Sequence, residues 1–123
     1  MPKINPDIKL LSTIKNVLVP RVSTFYRDLF GKESDLPDQI DIFMSDEVPD
    51  GKIALYLYPS EKNQNGTIIV KPKAFNKGIN YVIQVMIHEL CHAAFKERIC
   101  DDGHHDEFKQ LGAALGLEPQ YMK

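Results

Sequence analysis

The chain has 123 residues, 43% of them hydrophobic and 26% charged. That composition suits one compact soluble domain spanning 1–123 and excludes disordered and collagen-like classes. A net charge of −2 gives no reason to expect a nucleic acid or an anionic membrane as partner. No apolar run approaches the roughly 18 residues of a membrane span.

Asn5-Pro6-Asp7 opens a helix, with Asn5 as N-cap and Pro6 at the first helical position. Leu11, Ile14, Leu18, Val22, Phe25 and Leu29 recur in steps of three and four, and they predict an amphipathic helix that ends at Gly31. Pro20 interrupts it, so a kink or two shorter helices are expected. A polar loop over 32–38 leads to three β-like runs: Ile40 to Met44, Ile53 to Tyr58 and Thr67 to Val70. Turn residues at 49–51 and 63–66 separate them. Neither connection has the dozen residues that parallel pairing needs, so a small antiparallel sheet is expected.

A second helix is predicted from Ile79 to about Arg98. It is apolar nearly all the way round, as a buried helix is. Asp101-Asp102-Gly103 breaks it, and a third helix follows from about His105 to Leu115, ended by Gly116 and Pro119. The fold class is therefore α+β. The first residues lack the apolar core of a secretory signal, and two cysteines, Cys91 and Cys100, allow no disulfide framework. Together these lead to the expectation of a reducing, intracellular compartment.

The buried helix carries His88-Glu89-Leu90-Cys91-His92. At about 100° per residue His88 and His92 share a face, where two imidazoles can hold one metal ion. Glu89 lies beside that face, placed to act as general base on a water at the metal without displacing it. A shuffled chain shows such a motif in roughly one case in two hundred. The stronger signal is three ionisable groups inside an apolar run, since buried polar groups need partners.

A catalytic zinc takes three protein ligands and keeps one position open. The two remaining histidines, His104 and His105, follow the Asp-Asp-Gly turn and are the candidates for the third. The metzincin extension fails at Phe95 and Arg98, and a carboxylate ligand would have to be Glu107 or Glu118. Cys91 lies about 60° round the helix from His88, near enough to approach a metal, although a small core residue is the economical reading. Asp101, Asp102 and Asp106 are candidates to orient ligand imidazoles through their second nitrogen, or simply form a solvated turn.

The stretch from His88 to Phe108 resembles the SprT-like zinc metalloprotease domain, whose signature is H-E-x-x-H-A followed by G-H-G-x-x-F. His88, Glu89, His92 and Ala93 match its first half; Gly103, His104 and Phe108 match its second, and this register selects His104 over His105 as third ligand. The likeness covers about residues 66–116. It implies a zincin-like fold, a zinc ion (Zn2+) on His88, His92 and His104, and hydrolysis of peptide bonds in a protein or peptide substrate with Glu89 as general base. Among its eukaryotic members the Spartan proteases cleave proteins crosslinked to DNA, which makes DNA-associated proteins one implied substrate class. Many members carry a cysteine-rich zinc ribbon after the core. This chain runs to Lys123 without one, so it is either a minimal form or a piece of a longer protein, and the inference to DNA is weakened accordingly.

Lys71, Lys73 and Lys77 precede the motif helix, but so few charges with only Phe75 nearby read as a solvated face and not as a nucleic-acid contact. His105, Tyr81 and Lys77 are candidate donors to an oxyanion. The strand over Thr67 to Val70 is a candidate edge for an extended peptide. Two other classes compete with the protease: a non-catalytic zinc-stabilised binding module, against which Glu89 argues, and a metal-dependent nuclease, which favours carboxylate-rich two-metal sites.

Overall fold

In a computed structural model the chain is described over residues 5–95 and 106–121. The elements run α1 (Pro6–Phe30), β1 (Ile40–Met44), β2 (Ala54–Leu57), β3 (Gly66–Val70), a 3-10 segment at Pro72–Lys77, α2 (Ile79–Ala94), α3 (Asp106–Leu115) and a 3-10 turn at Pro119–Tyr121. The architecture is α+β: α1 and α2 pack against a small mixed sheet, and α3 packs against both helices. Among the described residues no helix is long and apolar enough to cross a membrane.

Helix α1 starts as its sequence dictates. The Asn5 side chain accepts from the Asp7 amide at 2.8 Å and Pro6 occupies the first turn. It ends where Gly31 turns left-handed and its amide donates to the Arg27 carbonyl at 2.8 Å. The helix continues through Pro20 as one element and does not divide in two. Its buried stripe is Leu11, Ile14, Leu18, Val22 and Tyr26, whereas Phe25 and Leu29 face out. Tyr26 takes the inward place because it meets Phe30 and Phe95 in an aromatic cluster, with ring centroids 4.9 and 5.2 Å away.

The sheet departs from the antiparallel expectation. Its order is β1-β3-β2; β1 runs parallel to β3, with Ile40 opposite Gly66 and Met44 opposite Val70, while β2 runs antiparallel to β3. The chain after β1 does not pair with its sequence neighbour. It passes through β2 and returns, so residues 45–65 supply the long connection that a parallel pair requires. Strand β3 is consequently central and buried along most of its length, and the expected edge at Thr67 to Val70 lies inside the sheet. Strands β1 and β2 form the edges.

Gly66 begins β3 at a point of close approach. A Cβ there would collide with the Tyr56 hydroxyl and come within 2.9 Å of Pro37 Cγ. That hydroxyl is buried with no hydrogen-bond partner among the described residues, and burial pushes the phenol up to about 12, with Tyr58 adding to the shift. Gly66→Ala is expected to destabilise the protein by about 1–3 kcal/mol through overpacking. Tyr56→Phe removes the unpaired hydroxyl and the nearest obstruction. It is expected to stabilise by about 1 kcal/mol alone and to recover part of the Gly66→Ala loss. A double-mutant cycle by urea denaturation reads both effects; strict additivity would contradict the stated contact.

Candidate metal centre

Helix α2 is buried on most of its circumference: Val82, Val85, Met86, Ile87, Glu89, Leu90, Cys91, Ala93 and Ala94 are all inside. It contacts α1, α3, β2 and both 3-10 segments. Its last carbonyls find donors off the helix, as a buried helix end must. The Asp35 amide donates to the Ala94 carbonyl at 2.8 Å, and the Tyr58 hydroxyl donates to the His92 carbonyl at 3.3 Å. These bonds tie the loop after α1 and the end of β2 to the final turn of the motif.

Within that frame His88 and His92 are partly exposed. Their rings lie 4.9 Å apart, with the two Nε2 atoms facing each other at 3.2 Å. His88 Nδ1 lies 2.7 Å from the Tyr121 carbonyl. A carbonyl only accepts, so Nδ1 carries a proton, and in the neutral ring Nε2 then presents its lone pair to the facing His92 nitrogen. Phe108 of α3 packs against both rings, at 5.3 Å from His88 and 4.7 Å from His92.

This donor set fits a metal ion. Two nitrogens bound at about 2.0–2.1 Å to one tetrahedral zinc lie about 3.3 Å apart, close to the separation seen. His88 is already in the tautomer that a ligand needs. The third expected ligand, His104, lies outside the described residues, as do His105, Asp101, Asp102 and Cys100. Among the described residues no third His, Cys, Asp or Glu completes a metal-binding group, so neither Glu107 nor Glu118 joins the pair.

Glu89 is 6% exposed. Burial raises its carboxyl to about 7, and the ammonium of Lys52 offsets only part of the shift. Cys91 is fully buried, and its thiol is pushed up to about 12 by burial and then by Glu89. With no exposed surface and a place in the hydrophobic cluster, Cys91 packs as a core residue.

Asp106 is exposed at the start of α3 and bonds neither imidazole; for His88 the orienting role expected of an aspartate falls to the Tyr121 carbonyl. Tyr81 packs edge-on against Tyr121 at 5.7 Å, and Lys77 sits 4.7 Å over the Tyr81 ring, which gives both a packing role. Lys73 and Lys77 are exposed, but Lys71 is buried, so the basic stretch is not one solvated face. The Tyr121 carbonyl and the Tyr58 hydroxyl went unseen in the sequence, because neither a backbone oxygen nor an isolated tyrosine marks its own partner.

No protein-family model matches the chain, and no curated protein or solved structure matches it.

The Glu89 shift makes a signed prediction for the metal-free protein. Its folded value, about 7, lies above the unfolded value, so the folded state holds the proton more tightly. That contribution is complete below about pH 4 and is lost as pH rises through 7. Glu89→Gln has no charge to bury. Its stability relative to the unsubstituted chain, both in chelator, is expected to rise between pH 4 and pH 8 by on the order of 3 kcal/mol. A difference that does not change with pH would contradict a buried, shifted carboxyl.

Proposed function

We propose that this chain is a zinc-dependent metallopeptidase core of the SprT-like type, with a zincin-like arrangement of motif helix and sheet. The observation that carries the reading is the facing pair of Nε2 atoms on His88 and His92, with His88 held in the ligating tautomer and Glu89 buried next to it. Phe108, a residue of the signature's second half, packs on both imidazoles and adds support from a different element.

His88, His92 and His104 would hold the zinc. Bound there, the ion would supply Lewis acidity, acidifying a water and polarising the scissile carbonyl. Glu89 takes the proton from the attacking water on its carboxylate and delivers it to the leaving amine. Burial makes Glu89 a stronger base than an exposed glutamate, which suits it to accept a proton and give it up again. The substrate is a protein or peptide in extended form. Edge strand β2, followed directly by Tyr58 whose hydroxyl reaches the His92 carbonyl, is the natural template: an added strand would pair with its outer backbone. DNA-associated proteins are one substrate class in this reading, although Lys71 is buried and only Lys73 and Lys77 are exposed along that stretch.

Elemental analysis and proteolysis of an unfolded protein substrate test the reading together. About one zinc per chain is expected, lost in His88→Ala and His104→Ala and retained in His105→Ala. Glu89→Gln should keep its zinc and lose at least about a hundredfold in rate. A chain with full zinc whose cleavage is unaffected by Glu89→Gln would contradict the assigned base. A zinc-loaded chain that cleaves nothing would favour a zinc-stabilised binding module instead.

A further inference from the structure

Four side chains of α2 line one face at spacings of three and four: Tyr81, Gln84, His88 and His92. The first three engage a single short segment, 116–121. The Gln84 amide clamps it twice, donating through Nε2 to the Gly116 carbonyl at 3.0 Å and accepting the Glu118 amide on Oε1 at 2.8 Å. The Tyr81 ring packs edge-on against Tyr121. His88 Nδ1 then meets the Tyr121 carbonyl at 2.7 Å.

The segment is braced from within as well. Gly116 takes a positive φ of 93° to turn the chain out of α3, Leu117 is buried and its amide donates to the Gly112 carbonyl, and the Tyr121 amide donates to the Glu118 carbonyl at 2.9 Å. A backbone carbonyl is thus delivered to one imidazole nitrogen by a built structure and not by chance proximity.

We infer that Gln84 and the 116–121 segment are a tautomer lock for His88: Gln84 is a positioning residue that, through Tyr121, keeps the proton on Nδ1 and the lone pair on Nε2. The consequence, tighter metal binding, rests on the metallopeptidase reading. The lock itself is a property of the metal-free chain. Without the carbonyl, Nδ1 no longer has the acceptor that holds its proton, and the ring loses one of the contacts that orient it. Outer partners of this kind are worth 10- to 100-fold in metal affinity.

The test uses the full-length chain with Gln84→Met, which preserves the side-chain volume and removes both hydrogen bonds, and Tyr121→Ala, which removes the ring packed on Tyr81. Long-range nitrogen–proton NMR of the chelated protein reads the His88 tautomer directly, and competition with a chromogenic chelator reads zinc affinity. The native chain should show the Nδ1–H form of His88. Both variants should shift it towards a mixture and weaken zinc roughly ten- to hundredfold. Gly66→Ala, destabilised elsewhere, should leave the tautomer unchanged. An Nε2–H form in the native chain, or a tautomer that neither variant moves, overturns the lock. Should the native chain show the Nδ1–H form and both variants shift it while no zinc binds, the lock stands and the metallopeptidase reading falls.

Discussion

The structure depends on the burial of α2. A helix apolar on nearly every side has to be enclosed, and α1, α3 and β2 close around it. Leu90, Met86 and Val82 are fully buried within that enclosure, and truncating such a side chain to alanine costs about 2–5 kcal/mol. The same enclosure determines what the motif can do. Its one partly open stripe carries His88 and His92, so the imidazoles meet solvent while the residue between their turns, Glu89, is taken inside.

That placement sets stability against chemistry. A carboxyl at 6% exposure is costly when ionised, and the cost appears as a value raised to about 7. An exposed glutamate would be easier to fold around and a poorer proton carrier near neutral pH. His88 shows the opposite arrangement. Its ring is oriented by a neighbour that carries no charge, the Tyr121 carbonyl, and Phe108 fills the remaining space beside both imidazoles. The site therefore draws on three parts of the chain after β3: the motif helix, α3 and the segment that follows it.

Much of this was legible in the sequence where the determining forces are local. The Asn5 cap, the Gly31 stop, the three strand segments and the encircling apolarity of α2 follow from side chains acting on their own neighbourhood. The facing of His88 and His92 is similarly a matter of helical period. Pairing order was not legible, because β1 joins β3 across an intervening strand, and the turn residues at 49–51 and 63–66 describe only the ends of the segments they connect. The inward choice of Tyr26 over Phe25 depends on Phe95, distant in sequence. Burial of Lys71 and the approach of the Tyr121 carbonyl to His88 are also tertiary events, written in no local pattern.

The central claim is that His88 and His92 ligate one zinc ion from adjacent turns of α2, with a third imidazole completing the protein's share. Zinc K-edge X-ray absorption of the zinc-loaded chain tests it most directly. The account predicts three imidazole ligands and a light oxygen scatterer, all at about 2.0–2.1 Å, with no sulfur near 2.3 Å. A sulfur shell, or a spectrum in which the zinc has no imidazole ligands, would contradict it.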